Sequence, residues 1–203
     1  MIKYKVPYKL TNSFSNVIED YIEKKTPKDL YNRLPLLEEF RMQIEEKSRQ
    51  DVDRNLLVQT LEDQNQELKL SSKARRNIQL LNNEETFTIT TGHQLCLFTG
   101  PLYFIYKIVS TINLAKKLKK KYSKHNFVPI FWLASEDHDL LEINQINLFR
   151  DKIIWKTSQT GMTGDFSTID ISPLIKQIAD LAGSSEKTDI LIQIFKVAYL
   201  KNK

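Results

Sequence analysis

The sequence contains very little cysteine, glycine and proline: one, five and six residues among 203. The single cysteine, Cys96, excludes an intramolecular disulfide, so a reducing, cytoplasmic compartment is expected. The scarcity of glycine and proline predicts few long loops. No apolar run reaches the length of a membrane-spanning helix, and the N-terminus has no signal-peptide core, so no membrane partner is expected.

The net charge is also small, because 30 lysines and arginines are offset by 25 acidic residues, which gives a formal net charge of +5. Much of the excess lies in residues 116–124, at the end of a predicted helix, where cations complement the helix dipole. A basic run can bind nucleic acid. No aromatic interleaving or nucleic-acid motif accompanies this one, so we expect a solvated helix end and no nucleic-acid partner.

Residues 1–83 are predicted to form an N-terminal helical segment. Helix-start signals occur at Asn12 or Ser13, at Pro27 and Pro35, at Asp51, and at Ser71 or Ser72. The helices that start near residues 12, 35, 51 and 71 are expected to end near Ile22, Gln50, Leu70 and Leu81. Their apolar positions are sparse, so these helices should pack against another part of the protein.

The pattern changes over residues 84–144. A β-type run, Thr86–Thr91, is followed by a long helical pattern, Pro101–Tyr122, and then by an apolar run, Phe127–Ala134. An apolar run of that length suits a parallel strand buried on both faces. The sequence therefore predicts an α/β fold with a parallel βαβ core.

The long helix is predicted to have an apolar stripe of Ile105, Val109 and Ile112 along one face. Lys107 lies opposite this stripe, about two turns into the helix. A solvated lysine is the expectation at that position.

Residues 145–203 are predicted to form a hairpin and helical connecting segment. The predicted elements are hairpin strands Gln145–Phe149 and Lys152–Trp155, a flexible loop Gly161–Gly164, a short strand Phe166–Ile171, and helices Pro173–Leu181 and Lys187–Tyr199. Two parallel strands and a hairpin are a thin sheet for this architecture. The chain is therefore expected to be the front part of a larger protein or the product of a truncated gene.

The most informative stretch is Thr-Gly-His-Gln-Leu-Cys-Leu-Phe-Thr-Gly-Pro-Leu-Tyr (Thr91–Tyr103). A strand, a glycine-containing loop and a helix start form the layout that holds phosphates in α/β proteins. Gly92 and Gly100 allow close backbone approach, and the amides of the first helical turn favour an anion. His93 is suited to hydrogen-bond a phosphate or to stabilise charge developing on it. Cys96 is expected to be a small buried residue and not a nucleophile.

A second loop, Ser135–Asp139, follows the second strand. Parallel strands end at the same edge of a sheet, so both loops should face one crevice. Asp137 or Asp139 would orient an amine or hydroxyls of a ligand, or hold Mg²⁺, and His138 would act as a general base near neutral pH. The acidic residues also suit a plain helix N-terminus. The Asp-His-Asp spacing matches no standard zinc pattern, so the orienting role is favoured over metal ligation and no metal-ligating residue is assigned.

The two motifs, Thr91–Lys107 and Val-Pro-Ile-Phe-Trp-Leu-Ala-Ser-Glu-Asp-His-Asp (Val128–Asp139), resemble the bacillithiol biosynthesis cysteine-adding enzyme (BshC) family. The resemblance covers essentially the whole chain but only the front part of the family. It implies a Rossmann-like core related to class I aminoacyl-tRNA synthetases, with inserted segments and a long coiled coil. The implied reaction is ATP-dependent ligation of L-cysteine to the amine of glucosaminyl-malate, and a homodimer is an expected state of the full-length family.

The resemblance places the Gly92-His93-Gln94 segment where the synthetases have their nucleotide-binding histidine motif. The catalytic candidates are His93, Asp137 and His138. The candidates for substrate or nucleotide binding are Thr91, Gly92, Gln94, Thr99, Gly100, Ser135, Glu136 and Asp139.

The sequence departs from the family pattern at several points. Gln145 stands where a histidine is expected, and Cys96 stands where relatives can have glycine. The second half of the Rossmann core and most of the coiled coil are missing from the match, so this chain alone is expected to lack ligase activity. Two alternatives stay open: a non-catalytic nucleotide- or anion-binding fragment, and a nucleotidyl-transferring enzyme with another substrate.

Overall fold

The structure, a computed structural model, describes residues 4–201. The chain divides into two compact units, residues 1–52 and 53–203. The first unit contains helices α1 (Asn16–Ile22) and α2 (Phe40–Lys47), with single 3₁₀ turns at Tyr8–Thr11 and Lys28–Leu30. Among residues 4–201, no helix has both the length and the apolar character needed to cross a membrane.

The helices of the first unit are shorter than predicted. Pro27 precedes only one 3₁₀ turn, and the helix expected from Pro35 begins at Phe40. Polar side chains hold the intervening segment: Arg33 pairs with Glu46, and Asn32 Nδ2 lies 3.2 Å from the same carboxylate. These contacts fix residues 32 and 33 without helical backbone hydrogen bonds.

The second unit contains the remaining helices and all strands of the described residues. In chain order they are α3 (Arg54–Gln64), α4 (Ser72–Leu80), β1 (Thr86–Gln94), α5 (Leu102–Lys121), β2 (Asn126–Ala134), α6 (Leu140–Ile143), β3 (Gln145–Leu148), β4 (Asp151–Ile154), α7 (Ser172–Ala182) and α8 (Glu186–Lys196), followed by a π-helical turn, Val197–Lys201. Asp53 and Ser71 cap α3 and α4 by accepting hydrogen bonds from Leu56 N and Ala74 N. Side-chain caps of this type satisfy amides that have no partner inside the helix.

Strands β1 and β2 are parallel neighbours, joined through α5, as the sequence predicts. Their register runs from Thr86 opposite Asn126 to Gln94 opposite Ala134. Strand β1 is three residues longer than predicted, so Gly92, His93 and Gln94 lie in the strand and not in the loop. Glycine is required at 92 because a Cβ there would lie 2.9 Å from the backbone oxygen of Trp132.

The apolar stripe predicted on α5 is not the face that the structure buries most deeply. Ile105 and Val109 are 44% and 45% exposed, whereas Ala115 and Leu118 are buried. Phe104 packs edge-on against Phe131 of β2, with ring centroids 5.3 Å apart. Helical spacing puts residues 104, 115 and 118 on one face, about 100° from the predicted stripe. The two faces are both apolar, so periodicity alone did not separate them.

Strands β3 and β4 form the predicted antiparallel hairpin. With α7, α8 and the loop after β1, the hairpin encloses an apolar core whose buried members include Phe98, Ile153, Trp155, Ile171 and Phe195. The strand predicted at Phe166–Ile171 is wrong. The Gln159 side chain accepts from Ser167 N at 2.7 Å and donates to Ser167 O at 3.0 Å, so it takes the place of a neighbouring strand.

The loop after β1 has an unusual backbone. Phe98, Thr99 and Gly100 all have positive φ, at 48°, 73° and 59°. Such conformations are strained for residues with a Cβ, and surrounding contacts must hold them. Phe98 supplies these contacts, because its side chain is 1% exposed and its amide donates to Tyr199 Oη at 2.8 Å. The loop is therefore tied to the C-terminal helical region.

We predict that Arg54→Met lowers the free energy of unfolding by about 1–3 kcal/mol, because three backbone carbonyls would lose their charged hydrogen-bond donor. Arg54 donates to Leu81 O at 2.8 Å and to Glu84 O and Thr86 O at 3.3 Å, and so ties the end of α4 to the start of β1. Urea denaturation measures the change. Arg75→Met, on the exposed side of α4, is the matched control and should stay within about 0.5 kcal/mol. An Arg54→Met variant as stable as the control would contradict this role.

We predict that Gly100→Ala destabilises the protein more than Gly183→Ala, by at least about 1 kcal/mol. Both glycines have positive φ, so both variants suffer backbone strain. A Cβ at 100 would lie 2.5 Å from Cys96 Cβ, whereas a Cβ at 183 has no neighbour within 4 Å. Thermal or urea unfolding compares the two variants. Equal losses would show that the loop adjusts at Cys96 without cost.

Candidate active site

The carboxyl ends of β1 and β2 form one edge of the parallel sheet. Gln94, the last residue of β1, lies opposite Ala134, the last residue of β2. The loops that follow, residues 95–101 and 135–139, therefore start side by side. This is the edge at which ligands bind in open α/β sheets.

A hydrogen bond joins the two motifs directly. Gln94 Nε2 donates to Asp137 Oδ2 at 3.0 Å, and the Asp139 amide donates to Asp137 Oδ1 at 2.9 Å. These two hydrogen bonds hold the pKa of the Asp137 carboxyl below its usual value. The bond from the Asp139 amide contributes most, and the bond from the Gln94 side chain contributes next. Asp137 is therefore an anion at neutral pH, suited to accept hydrogen bonds from an amine or hydroxyl of a ligand.

His93 connects the end of β1 to the start of α5. Its Nε2 lies 2.7 Å from Tyr103 Oη, and its Nδ1 lies 3.5 Å from Cys96 Sγ. The ring also packs against Phe104, with centroids 5.5 Å apart. These contacts fix the plane of the imidazole, and a ligand that binds Nε2 would have to replace or share the Tyr103 hydroxyl.

Lys107 is not the solvated lysine that the sequence predicts. Its Nζ donates to Gly92 O at 2.5 Å, and its side chain is half-buried. The cause is that α5 packs on the sheet with the face that contains Phe104, Ala115 and Leu118. Residue 107 lies near this face and therefore points toward β1. An ammonium group has three donors, and the bond to Gly92 is the one hydrogen bond of Lys107 within the described residues, which leaves two protons for other partners. The spacing of Lys107 from Phe104 and Ala115 was the signal that could have identified this position.

Cys96 lies in the first loop, beside His93. Burial, with a smaller contribution from the Glu142 carboxylate, raises the pKa of the Cys96 thiol, and Lys107 opposes this. The thiol is consequently protonated at neutral pH and is a poor nucleophile. The structure has Cys96 half-buried, whereas the sequence predicts a small buried residue.

The other predicted site residues lie along the same edge with different exposure. Glu136, His138, Asp139 and Thr99 are exposed, and Thr91, Ser135 and Gly100 are half-buried. Asp139 also caps the short helix α6, because its carboxylate accepts from Glu142 N at 3.4 Å. The structure thus places His93 and His138 at one edge of the sheet, whereas His125 pairs with Glu85 at the opposite edge.

A third segment, missed by sequence reasoning, closes on the second loop. The Thr163 amide donates to Asp137 O at 2.8 Å, and the Gly164 amide donates to Ser135 O at 2.9 Å. A Cβ on Gly164 would lie 2.8 Å from Ser135 Cβ. Residues 161–164 were expected to be a flexible loop, but Gly164 allows a close backbone contact that holds the second loop in place.

The assembled edge contains both signs of charge. Lys107 and the first amides of α5, at Leu102 and Tyr103, form its positive part, because the first N–H groups of a helix have no intrahelical partner. Asp137 forms its fixed negative part. Such an arrangement can hold an anionic group and a neighbouring amine or hydroxyl at the same time.

Comparison with known proteins agrees with this architecture. The family described as "Bacillithiol biosynthesis BshC, N-terminal Rossmann-like domain" matches residues 1–203. A protein of Flavobacterium psychrophilum named "Putative cysteine ligase BshC" is 45% identical over 201 residues, covering 97% of this chain and 38% of the relative. Relatives with the same name occur in Flavobacterium johnsoniae, at 45% identity over 200 residues, and in Bacillus cereus, at 34% over 142 residues.

The Flavobacterium johnsoniae match covers 97% of this chain and 38% of the relative, and the Bacillus cereus match covers 70% and 26%. The chain thus spans less than two fifths of the length of the curated relatives that it matches. The family match over residues 1–203 and the 45% sequence identity to the two Flavobacterium relatives lead to one conclusion. The chain belongs to the BshC family of bacillithiol biosynthesis and corresponds to its N-terminal Rossmann-like domain.

Proposed function

We propose that this chain forms the nucleotide- and amino-acid-binding part of a cysteine ligase active site. The proposed reaction is formation of an amide bond between the carboxyl carbon of L-cysteine and the amine nitrogen of glucosaminyl-malate. The observation on which the proposal rests most directly is the Gln94–Asp137 hydrogen bond, 3.0 Å long, because it joins the two family motifs into one polar edge.

The residues present fit an ATP phosphate group. Lys107 and the amides at the start of α5 would hold the phosphates, since helix N-termini and lysine ammonium groups are the usual phosphate partners of α/β proteins. When bound, ATP would supply the activation of the cysteine carboxylate that amide formation requires. The exposed Thr99 and the half-buried Gly100 flank the same helix start.

The acidic loop would serve the amine that attacks. Asp137, an anion with its pKa held low, would orient that amine through a charge-assisted hydrogen bond. His138 is exposed at the same edge and would accept the proton that the amine loses as the carbon–nitrogen bond forms. His93, fixed by Tyr103, would stabilise negative charge that develops on the activated carboxyl group.

The proposal is tested in a full-length relative that has histidines equivalent to His93 and His138. Replacing the equivalent of His138 by alanine should lower kcat by roughly 10²–10⁴-fold, the usual loss of a positioned acid or base. Ligation of L-cysteine to glucosaminyl-malate is followed by mass spectrometry, with the folded fraction checked by circular dichroism.

The matched control is the equivalent of His125→Gln, since His125 lies at the opposite edge of the same sheet, paired with Glu85. The control should keep kcat close to wild type. Equal kcat values for the two variants would contradict the role of His138. Nucleotide binding without any product in the wild-type protein would favour the alternative of a non-catalytic binding protein.

A further inference from the structure

A partly enclosed cavity of about 190 Å³ lies behind the loop that follows β1. Its walls come from that loop, from the hairpin region and from the C-terminal helical region, and they include Cys96, Trp155, Thr163, Phe166, Thr168 and Tyr199. A cavity of roughly 150 Å³ can hold a benzene molecule, whereas sites for drug-sized ligands begin near 300 Å³. The cavity therefore suits a small group and is too small for a nucleoside.

The lining of the cavity is uncharged. None of its lining residues in the described part of the chain is acidic or basic, and Trp155 and Phe166 give it apolar walls. Burial also raises the pKa of Cys96 and of Tyr199, so both groups stay neutral. An ammonium or carboxylate group would lose its hydration there without a charged partner. The cavity thus selects a neutral group.

One polar group of the cavity lining has no hydrogen-bond partner in the described part of the chain. Thr163 is 5% exposed, and its hydroxyl makes no hydrogen bond within residues 4–201. A buried hydroxyl is normally paired, and leaving it unpaired is unfavourable. In contrast, Thr168 donates to Tyr199 O at 2.7 Å, and Tyr199 Oη accepts from the Phe98 amide at 2.8 Å. A weakly polar ligand group would give Thr163 the missing partner.

The cavity adjoins the candidate active site on two sides. The Thr163 amide donates to Asp137 O at 2.8 Å, and Cys96 Sγ lies 3.5 Å from His93 Nδ1. A small amino acid whose side chain enters the cavity would keep its charged groups outside, toward Asp137 and His93. The neutral walls and the charged edge thus match the two halves of such a molecule.

We propose that this cavity is the subsite that receives the small neutral side chain of the amino-acid substrate, with the Thr163 hydroxyl as its hydrogen-bonding partner. The inference rests on the proposed function, in which that substrate is L-cysteine. Its thiol is a weak donor and acceptor, and its single methylene group suits the apolar walls. The cavity would then distinguish L-cysteine from glycine, which lacks a side chain.

Binding of L-cysteine and of glycine to the 203-residue chain, measured by isothermal titration calorimetry under reducing conditions, tests the subsite. The wild type should bind L-cysteine at least about tenfold more tightly than glycine. Thr163→Val keeps the shape but removes the hydroxyl, and should weaken L-cysteine by about 3- to 10-fold. Thr163→Leu fills the space and should abolish the preference over glycine, with glycine affinity unchanged in both variants.

Thr60→Val, on the exposed surface of α3, is the matched control and should bind as the wild type does. Circular dichroism verifies folding, and Thr163→Val decides the matter if the leucine variant does not fold. Wild-type affinity for L-cysteine in Thr163→Val, or no preference over glycine in the unmodified chain, would overturn the subsite. Neither result depends on turnover, so the kinetic test of His138 can fail or succeed separately.

Discussion

The parallel pairing of β1 with β2 is the constraint on which the rest of the structure depends. The register, Gln94 opposite Ala134, determines that both strands end at the same edge of the sheet. A one-residue shift would reverse the faces of the strand side chains and would move Gln94 relative to the second loop. Glycine at 92 keeps the strands close, because the Trp132 carbonyl occupies the space of a side chain.

Backbone and side-chain contacts from three segments hold the edge in one arrangement. Gln94 reaches Asp137 from β1, and the Thr163 and Gly164 amides reach the second loop from beyond the hairpin. Lys107 contacts Gly92 from α5. Groups that bind or act on a ligand work best when they are positioned before it arrives, and these contacts position the groups of this edge. They also place a fixed anion and an available ammonium group at the same edge.

The sequence predicts the βαβ core and the edge of the site because both depend on local patterns: an apolar run, glycine beside a strand end, and a proline at a helix start. It does not predict Lys107, because α5 has two apolar faces and only packing chooses between them. The position of residues 163–164 depends on contacts with residues distant in sequence. The pairing of Gln159 with Ser167 depends on one specific side-chain rotamer. No sequence pattern indicates that the Thr163 hydroxyl is buried without a hydrogen-bond partner among residues 4–201.

The most direct test of a single shared site is an NMR titration of the histidine-labelled chain with MgATP. The account predicts that the imidazole resonances of His93 and His138 both shift, with the same Kd, because the two loops contact one ligand. His125 pairs with Glu85 at the far edge of the sheet and serves as the internal control, which should not move. A shift at only one of His93 and His138, two different Kd values, or a shift only at His125 would contradict the account.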